Sequence, residues 1–453
     1  MIERLKALTP MLRRANFLFV TVPLLVPGIG TARADAPISG PPLQIQETGS
    51  SIPVDLPRGR FVFRRIGLPV EWMTSMDQHP VNHDLYAVSI NGVVFRIDPD
   101  SADPAPSLVV EIGKLGLEFT TGAQGLAFDH SGNMYVSNSG GDILKGVWNS
   151  TTDTFAWNGF VDLPEDSVGG DHGVNAMAEG PDGKLYINSG SIRHGSQASG
   201  PEPDFGWNAR ILRVNLDGTG LESFCRGIRN TFALTFRSDG ALFGVENGPD
   251  CHYADELNRL EFGKHYGYPF AYGSGRSGSD STLDLECVFP SAGETLEPAW
   301  GNLGPDGIPG PGEPGDSGGA VFYGFHPHSS PSGLSFYDTA RMDPQARKFP
   351  GKYHGLAFVC RFGQLIPLPG DVGFDIVTLS LDDPAHSFSC RRFATGISRP
   401  VHLLCAWNGR VYVLEFNETT SGSALGSGKS RLLEIRWEPD ADQAQAGAEI
   451  IEE

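Results

Sequence analysis

The chain is poor in positive charge and carries no basic run. Among 453 residues, 54 acidic side chains face 34 basic ones, for a formal net charge of -20. A duplex-binding surface needs clustered Lys and Arg against phosphate, so this balance argues against a nucleic-acid partner. The chemistry of common motifs is also missing. No CxxC or CxxCH occurs, which removes support for thiol redox, a zinc ribbon or attached haem. GxxxxGK[ST], a strand–GxGxxG–helix unit and HExxH are absent, so nucleotide cofactors and zinc peptidase chemistry are unsupported. No long segment repeats apolar residues at helical spacing.

What is present is turn chemistry and β pattern. The chain holds 58 Gly and 34 Pro, a composition suited to many tight turns. Lys6, Arg13 and Arg14 precede an apolar stretch at residues 17–29, and Ala32-Arg33-Ala34 offers a small-x-small cleavage site. Residues 1–34 therefore read as a signal peptide with no membrane span after cleavage, and the mature protein is expected in the periplasm or secreted. Residues 35–59 read as an N-terminal extension. The six cysteines of an exported chain permit disulfides; by proximity in sequence, Cys251–Cys287 and Cys360–Cys390 are the first pairs to test.

One unit recurs. A β stretch, a turn containing Gly, and a second stretch of Leu-Tyr-Val type repeat at Leu85, Met134, Leu185, Leu242, Leu356 and Val411, with starts 49, 51, 57, 114 and 55 residues apart. Ser131-Gly132-Asn133, Asp182-Gly183-Lys184, Asp239-Gly240-Ala241 and Asn408-Gly409-Arg410 supply the hairpin turns. Several strands per repeat at this period specify propeller blades, because one blade cannot bury both of its faces and a ring of blades can. The expected fold is all-β: a six-bladed β-propeller over residues 60–438 with long inter-blade insertions. Residues 60–70 are expected to close the ring with the last blade. The Gly/Pro-rich stretch 295–319 is read as an insertion between blades four and five, and 439–453 as a disordered acidic tail.

Around blade four the residues become specific. Gly227-Ile228-Arg229-Asn230, Leu234-Thr235-Phe236, Asp239-Gly240, Glu246-Asn247-Gly248-Pro249, Asp255-Glu256-Leu257-Asn258 and the stretch 263–269 (GKHYGYP) follow one another in order. This series resembles the PQQ-dependent glucose/sorbosone dehydrogenase family. Looser agreement at Gln124-Gly125-Leu126, Asp171-His172-Gly173, Pro331-Ser332-Gly333-Leu334 and Arg399-Pro400-Val401 extends the resemblance to roughly residues 60–437. It implies a six-bladed propeller that holds pyrroloquinoline quinone (PQQ) and Ca²⁺ over its channel and oxidises a sugar or polyol hydroxyl, with an external electron acceptor. His172, preceded by Asp171, matches the general base; an imidazole titrates near neutrality, as that role requires. Arg229 and Asn230 match the pair beside the quinone, where a guanidinium stabilises developing oxygen charge. Gly248 and Pro249 match backbone-carbonyl ligands of Ca²⁺, a hard ion that takes oxygen donors. Gln124, Asn247, Arg361 and Arg399 complete the cofactor set that the resemblance implies. One family arginine is replaced by Val401, and the loop from Pro249 to Asp255 is longer than in the bacterial glucose enzymes.

Taken alone, Asp-His in a Gly-rich loop, an Arg at a strand start and a Gly-Pro turn are more often plain structure; it is their joint order that carries the functional reading. His194, His252 and His265 are weaker candidates for the base. A non-catalytic propeller that binds a glycan or protein through the same face is the alternative. A Ca²⁺-dependent lactonase, with Glu246 or Asp255 on the metal, ranks last.

Overall fold

The computed structural model describes residues 43–45, 54–56, 61–119, 122–164, 172–192, 206–248, 254–270, 295–303, 316–317, 320–325, 328–363, 373–417 and 428–438. The segments read as signal peptide and acidic tail lie outside them. Among the described residues there is no α-helix, and no helix is long and apolar enough to cross a membrane.

Each repeat in the sequence becomes one antiparallel sheet, and there are six. Blade one is Met73–Gln78, Leu85–Ser89, Val93–Ile97 and Ser107–Glu111; blade two is Ala123–Phe128, Met134–Asn138, Asp142–Asn149 and Thr154–Asp162. Blade three is Met177–Glu179, Lys184–Ser189, Arg210–Asn215 and Glu222–Arg226, whereas blade four shows three strands, Thr231–Phe236, Leu242–Glu246 and Glu256–Leu260. Blade five is Pro331–Phe336, Ala357–Arg361, Asp375–Asp382 and Ser387–Thr395; blade six is Pro400–Cys405, Val411–Glu415 and Arg431–Trp437. Its fourth strand is Phe61–Gly67, in register from Arg431↔Gly67 to Trp437↔Phe61. The ring is thus closed by the segment whose pattern singled it out, which leaves no open edge at the seam. The first strand of each blade packs on the first strand of the next, from blade one round to blade six and back.

The core follows from this stacking. There are six hydrophobic clusters, one per seam between blades, because alternate residues of a strand face opposite neighbours. In blade three, Leu185 and Ile187 pack towards blade two while Tyr186 packs towards blade four. The tyrosine of the repeat does a second job. Tyr86, Tyr135, Tyr186 and Tyr412 bond through their hydroxyls to the turn residues Asn82, Asp129, Asp182 and Asn408 at 3.0–3.3 Å. Each sits across from a charged residue on the third strand: Arg96, Lys145, Arg213 and Glu434. The hairpin turns close as expected, with Gly132, Gly183, Gly240 and Gly409 all at positive φ.

One expectation is extended and one is corrected. The stretch 295–319 does separate blades four and five, but it also pairs. Gly301–Asn302 runs parallel to Ser387–Thr395 and antiparallel to Ala320–Tyr323, which widens blade five outwards. Val54–Leu56 of the N-terminal extension joins the same edge. The Cys360–Cys390 bridge is excluded. Cys360 pairs with Ile376 and Cys390 with Leu379, so the two cysteines lie two strands apart and out of register, beyond disulfide reach. Cys225, Cys360 and Cys405 are free thiols, and burial raises the pKa of each. Cys251 and Cys287 lie outside the described residues.

Phe61 stitches the closing strand to blade five, with ring contacts to Phe349, Tyr353, Phe393 and Trp437 at 4.8, 5.7, 5.3 and 5.0 Å. Phe61→Ala is expected to cost about 3–5 kcal/mol in urea unfolding. His79 is a second test. Its ring is buried against Trp148 at 4.4 Å, its Nδ1 accepts the N–H groups of Val81 and Asn82, and burial lowers its pKa to about 4. The unfolded chain therefore binds a proton that the folded one refuses. Stability from His79 is complete above about pH 6.5 and is lost as pH falls through about 4, by roughly 1–3 kcal/mol. Urea titrations at pH 7 and pH 4 should show the loss, and His79→Gln should reduce it.

Candidate active site

One hydrogen bond recurs at a single end of the ring. The residue just before an inner strand offers its carbonyl to the N–H of the residue just after the second strand. The pairs are Trp72 with Ile90 (2.9 Å), Gly122 with Ser139 (3.2 Å), Asn230 with Asn247 (3.1 Å), Ser330 with Phe362 (2.9 Å) and Arg399 with Phe416 (3.0 Å). In blade three the corresponding bond joins Gly173 to Gly190 at 3.2 Å, next to His172. These bonds form a crown. Pseudo-sixfold symmetry thus brings residues from blades far apart in sequence to one rim: His172, Asn230, Asn247 and Arg399 by these bonds, Arg229 and Gly248 by the neighbouring chain.

His172 is buried, with Nδ1 3.0 Å from both the carbonyl oxygen and the hydroxyl of Ser191. The carbonyl can only accept, so it selects the tautomer with the proton on Nδ1 and makes Nε2 the basic nitrogen. A Cβ on Gly190 would come within 2.6 Å of His172 Cβ, so the glycine is what admits the imidazole here. Ser191 then links to blade four, its N–H donating to the Arg229 carbonyl at 2.7 Å. Beside it, Asn175 Nδ2 donates to Asn230 Oδ1 at 2.5 Å. The candidate base and the candidate guanidinium thus stand on adjacent blades, joined through one residue.

Arg229 is buried and donates from Nη1 to the Asn247 carbonyl at 2.9 Å. Its backbone N–H and that of Asn230 are held by the Glu246 carboxylate. Burial raises Glu246 well above the usual carboxylate range, against the pull of those donors. Asp255 braces the next turn. It accepts the N–H groups of Gly248 at 2.7 Å and Ser330 at 2.8 Å, and burial pushes its pKa up to about 6. The buried polar atoms without partners among the described residues include Arg229 Nε and Asn247 Oδ1. A stranded donor and a stranded acceptor are a cost that a polar ligand would relieve.

The other candidates are placed differently from one another. Arg361 forms a bidentate pair with Asp375 at 2.8 and 2.5 Å, and Arg392 adds a contact at 3.1 Å. Burial alone would raise Asp375, but the charges of Arg361 and Arg392 hold it below its usual value. Arg399 is fully buried in left-handed backbone, its guanidinium over Phe362 and Phe374 at 5.0 and 4.8 Å. Val401 faces the apolar seam between blades six and one, so that position holds core. Gln124 sits in the bulge between Ala123 and Leu126 at the start of blade two. His265 is buried, its Nδ1 accepting the Gly267 N–H, and serves the turn after blade four. Asp171, Pro249, His194 and His252 lie outside the described residues.

Sequence reasoning missed the supporting group. Ser191 and Asn175 carried no motif, Glu246 and Asp255 had been weighed only as metal ligands, and Trp72 had no signal at all. At this end Arg361 and Arg392 pair with Asp375, and Arg65 and Arg431 pair with Glu415. Asp375→Ala would remove the buried carboxylate that Arg361 and Arg392 share. It is expected to destabilise by about 3–5 kcal/mol in urea unfolding, while Asp375→Asn loses less.

No curated protein sequence matches the chain. Residues 157–284 match the model of the family described as Glucose / Sorbosone dehydrogenase. Among solved structures, the PQQ-bound form of aldose sugar dehydrogenase from Streptomyces coelicolor is 18% identical, with 84% of this chain and 99% of that chain covered and a TM-score of 0.50. The soluble aldose sugar dehydrogenase from Escherichia coli, in the apo form, is 15% identical, with 83% and 100% covered and a TM-score of 0.54. The calcium structure of a Trichoderma reesei carbohydrate-active enzyme of family AA12 is 15% identical, with 88% and 99% covered and a TM-score of 0.55. At such identities the likeness shows the shared fold. The stretch that builds the Arg229–Asn247 cradle is therefore matched by the Glucose / Sorbosone dehydrogenase family model, and it sits in a six-bladed propeller.

Proposed function

We propose that this protein is a PQQ-dependent oxidoreductase that oxidises a sugar or polyol hydroxyl and requires Ca²⁺. The observation that carries the reading is the pairing across one seam: a tautomer-fixed His172, linked through Ser191 to Arg229, beside two stranded buried polar atoms. That cradle fits the group chemically. Arg229 Nε is a cationic donor for a quinone or carboxylate oxygen, and Asn247 Oδ1 with the Gly248 and Pro249 carbonyls are hard oxygen donors for Ca²⁺. When bound, PQQ supplies a two-electron acceptor that no side chain provides.

The chain's own residues do the rest. His172 Nε2 takes the hydroxyl proton while the Ser191 carbonyl steadies the Nδ1–H and the positive charge that forms on the ring. Arg229, held through its own backbone by Glu246, offers fixed positive charge where negative charge develops. Asp255 keeps the Gly248 turn in place. Asn230 is aligned by Asn175, and Arg361, Arg399 and Gln124 complete the rim on the far blades. Asp171 is the expected partner of His172 from the preceding position. An external acceptor removes the electrons, and a periplasmic or secreted location suits such an exchange. The lactonase reading loses ground, because Glu246 and Asp255 spend their oxygens on backbone N–H groups.

Reconstitution tests this. PQQ and Ca²⁺ added to purified apo-protein should shift the quinone absorbance and give dye reduction with at least one member of a sugar and polyol panel. His172→Ala should lower turnover by about 10²–10⁴-fold and leave PQQ titration unchanged. Turnover that survives the substitution would remove His172 from its role. Absorbance and activity both silent in the parent protein would favour a propeller that only binds a glycan or protein.

A further inference from the structure

The crown places a residue at the rim that no motif announces. Trp72 occupies in blade one the position that Asn230 holds in blade four and Arg399 in blade six, immediately before the inner strand, with the same carbonyl bond. Its backbone is left-handed, φ 59°, a region that bulky side chains rarely enter. Such a conformation persists only when its surroundings impose it, and it is commonest where a side chain must be aimed. Here the surroundings are explicit. Ser430 takes the Met73 N–H on its hydroxyl at 2.9 Å and donates to the Phe416 carbonyl at 2.7 Å, locking the start of blade one to the end of blade six.

The aimed group is an indole with an unused donor. Trp72 lies parallel to Phe416, with centroids 6.4 Å apart and planes 9° from each other. Phe416 meets Phe362 edge-on at 5.6 Å, and Phe362 lies under the Arg399 guanidinium. Trp72, Phe362 and Phe416 are all only partly buried, yet the Trp72 Nε1 is buried and has no acceptor among the described residues. An aromatic wall with one stranded N–H is therefore set into the rim on blades five, six and one. Blades five, six and one lie on the other side of the ring from blades three and four, which carry His172 and Arg229.

We infer that Trp72, backed by Phe416 and Phe362, is a substrate-recognition subsite for the ring of a neutral pyranose or cyclic polyol. The apolar C–H face of such a ring suits an aromatic surface, and the indole N–H answers one of its hydroxyl oxygens. The inference rests on the sugar-oxidising reading and adds where the non-reacting part of the substrate is held. Trp72 binds here and moves no proton.

The test uses two variants of the full chain: Trp72→Phe, which keeps a ring and removes the donor, and Trp72→Leu, which removes both. In reconstituted protein, KM for the oxidised sugar should rise about tenfold in Trp72→Leu and by less in Trp72→Phe, with kcat within about twofold. Calorimetric titration of the apo-proteins with the same sugar should show weaker binding in the same order, while PQQ titration stays as in the parent and the melting transition of Trp72→Phe remains cooperative. Unchanged KM in both variants, with the parent active, overturns the subsite and leaves the enzyme reading standing. Loss of PQQ affinity without loss of sugar affinity also overturns it. If the parent oxidises no sugar, the enzyme reading fails. Sugar binding to the apo-protein that disappears in Trp72→Leu would then support the subsite, and no sugar binding to the parent would overturn it.

Discussion

The functional end of this molecule depends on a backbone hydrogen bond made in every blade, from the residue after the second strand to the residue before the first. It fixes where each inner strand begins. Whatever side chain precedes that strand is then held at the rim, whether Trp72, Asn230, Ser330 or Arg399. Five of the six blades carry a register shift at the start of the inner strand, at Met73, Ala123, Thr231, Pro331 and Pro400. A bulge turns a side chain away from the regular alternation, which is how strand ends are re-aimed towards a site.

Buried carboxylates secure the turns that carry Arg229 and Arg399. Glu246 ends the second strand of blade four and takes the N–H groups of Arg229 and Asn230. Glu415 occupies the same position in blade six and takes the Ser398 N–H at 2.9 Å, next to Arg399. Glu415 is also paired with Arg65 of the closing strand and lies 3.1 Å from Arg431. Ring closure and the geometry of the rim therefore share one buried acid. Removing either acid would leave buried backbone donors without the carboxylate they now use, which is dearer than losing a surface ion pair.

The charge pattern gives the same picture at larger scale. An acidic surface keeps the chain soluble and opposes anions in general, so an anionic ligand needs a local reversal of sign. Arg361 is answered by Asp375, whereas Arg229 has no carboxylate within ion-pair distance among the described residues, and the Nε atoms of Arg229 and Arg399 are both buried without a partner there.

The sequence by itself determined the blades, their number and the closing strand, because alternation, glycine turns and a repeated tyrosine are local signals that a fixed period makes legible. It also marked His172, Arg229, Asn230 and Gly248 through the order of their motifs. What it could not determine was which side chains would be spent on structure. Arg361 and Asp375 are 14 residues apart and bond across two strands; Ser191 reaches His172 from 19 residues away, and Asp255 reaches Ser330 from 75. The distances between blades are set by packing around a ring, and no local pattern records them. Only the closed tertiary structure decided that Trp72 shares a rim with Arg399, because pseudo-symmetry makes distant positions equivalent only after the first strand has met the last.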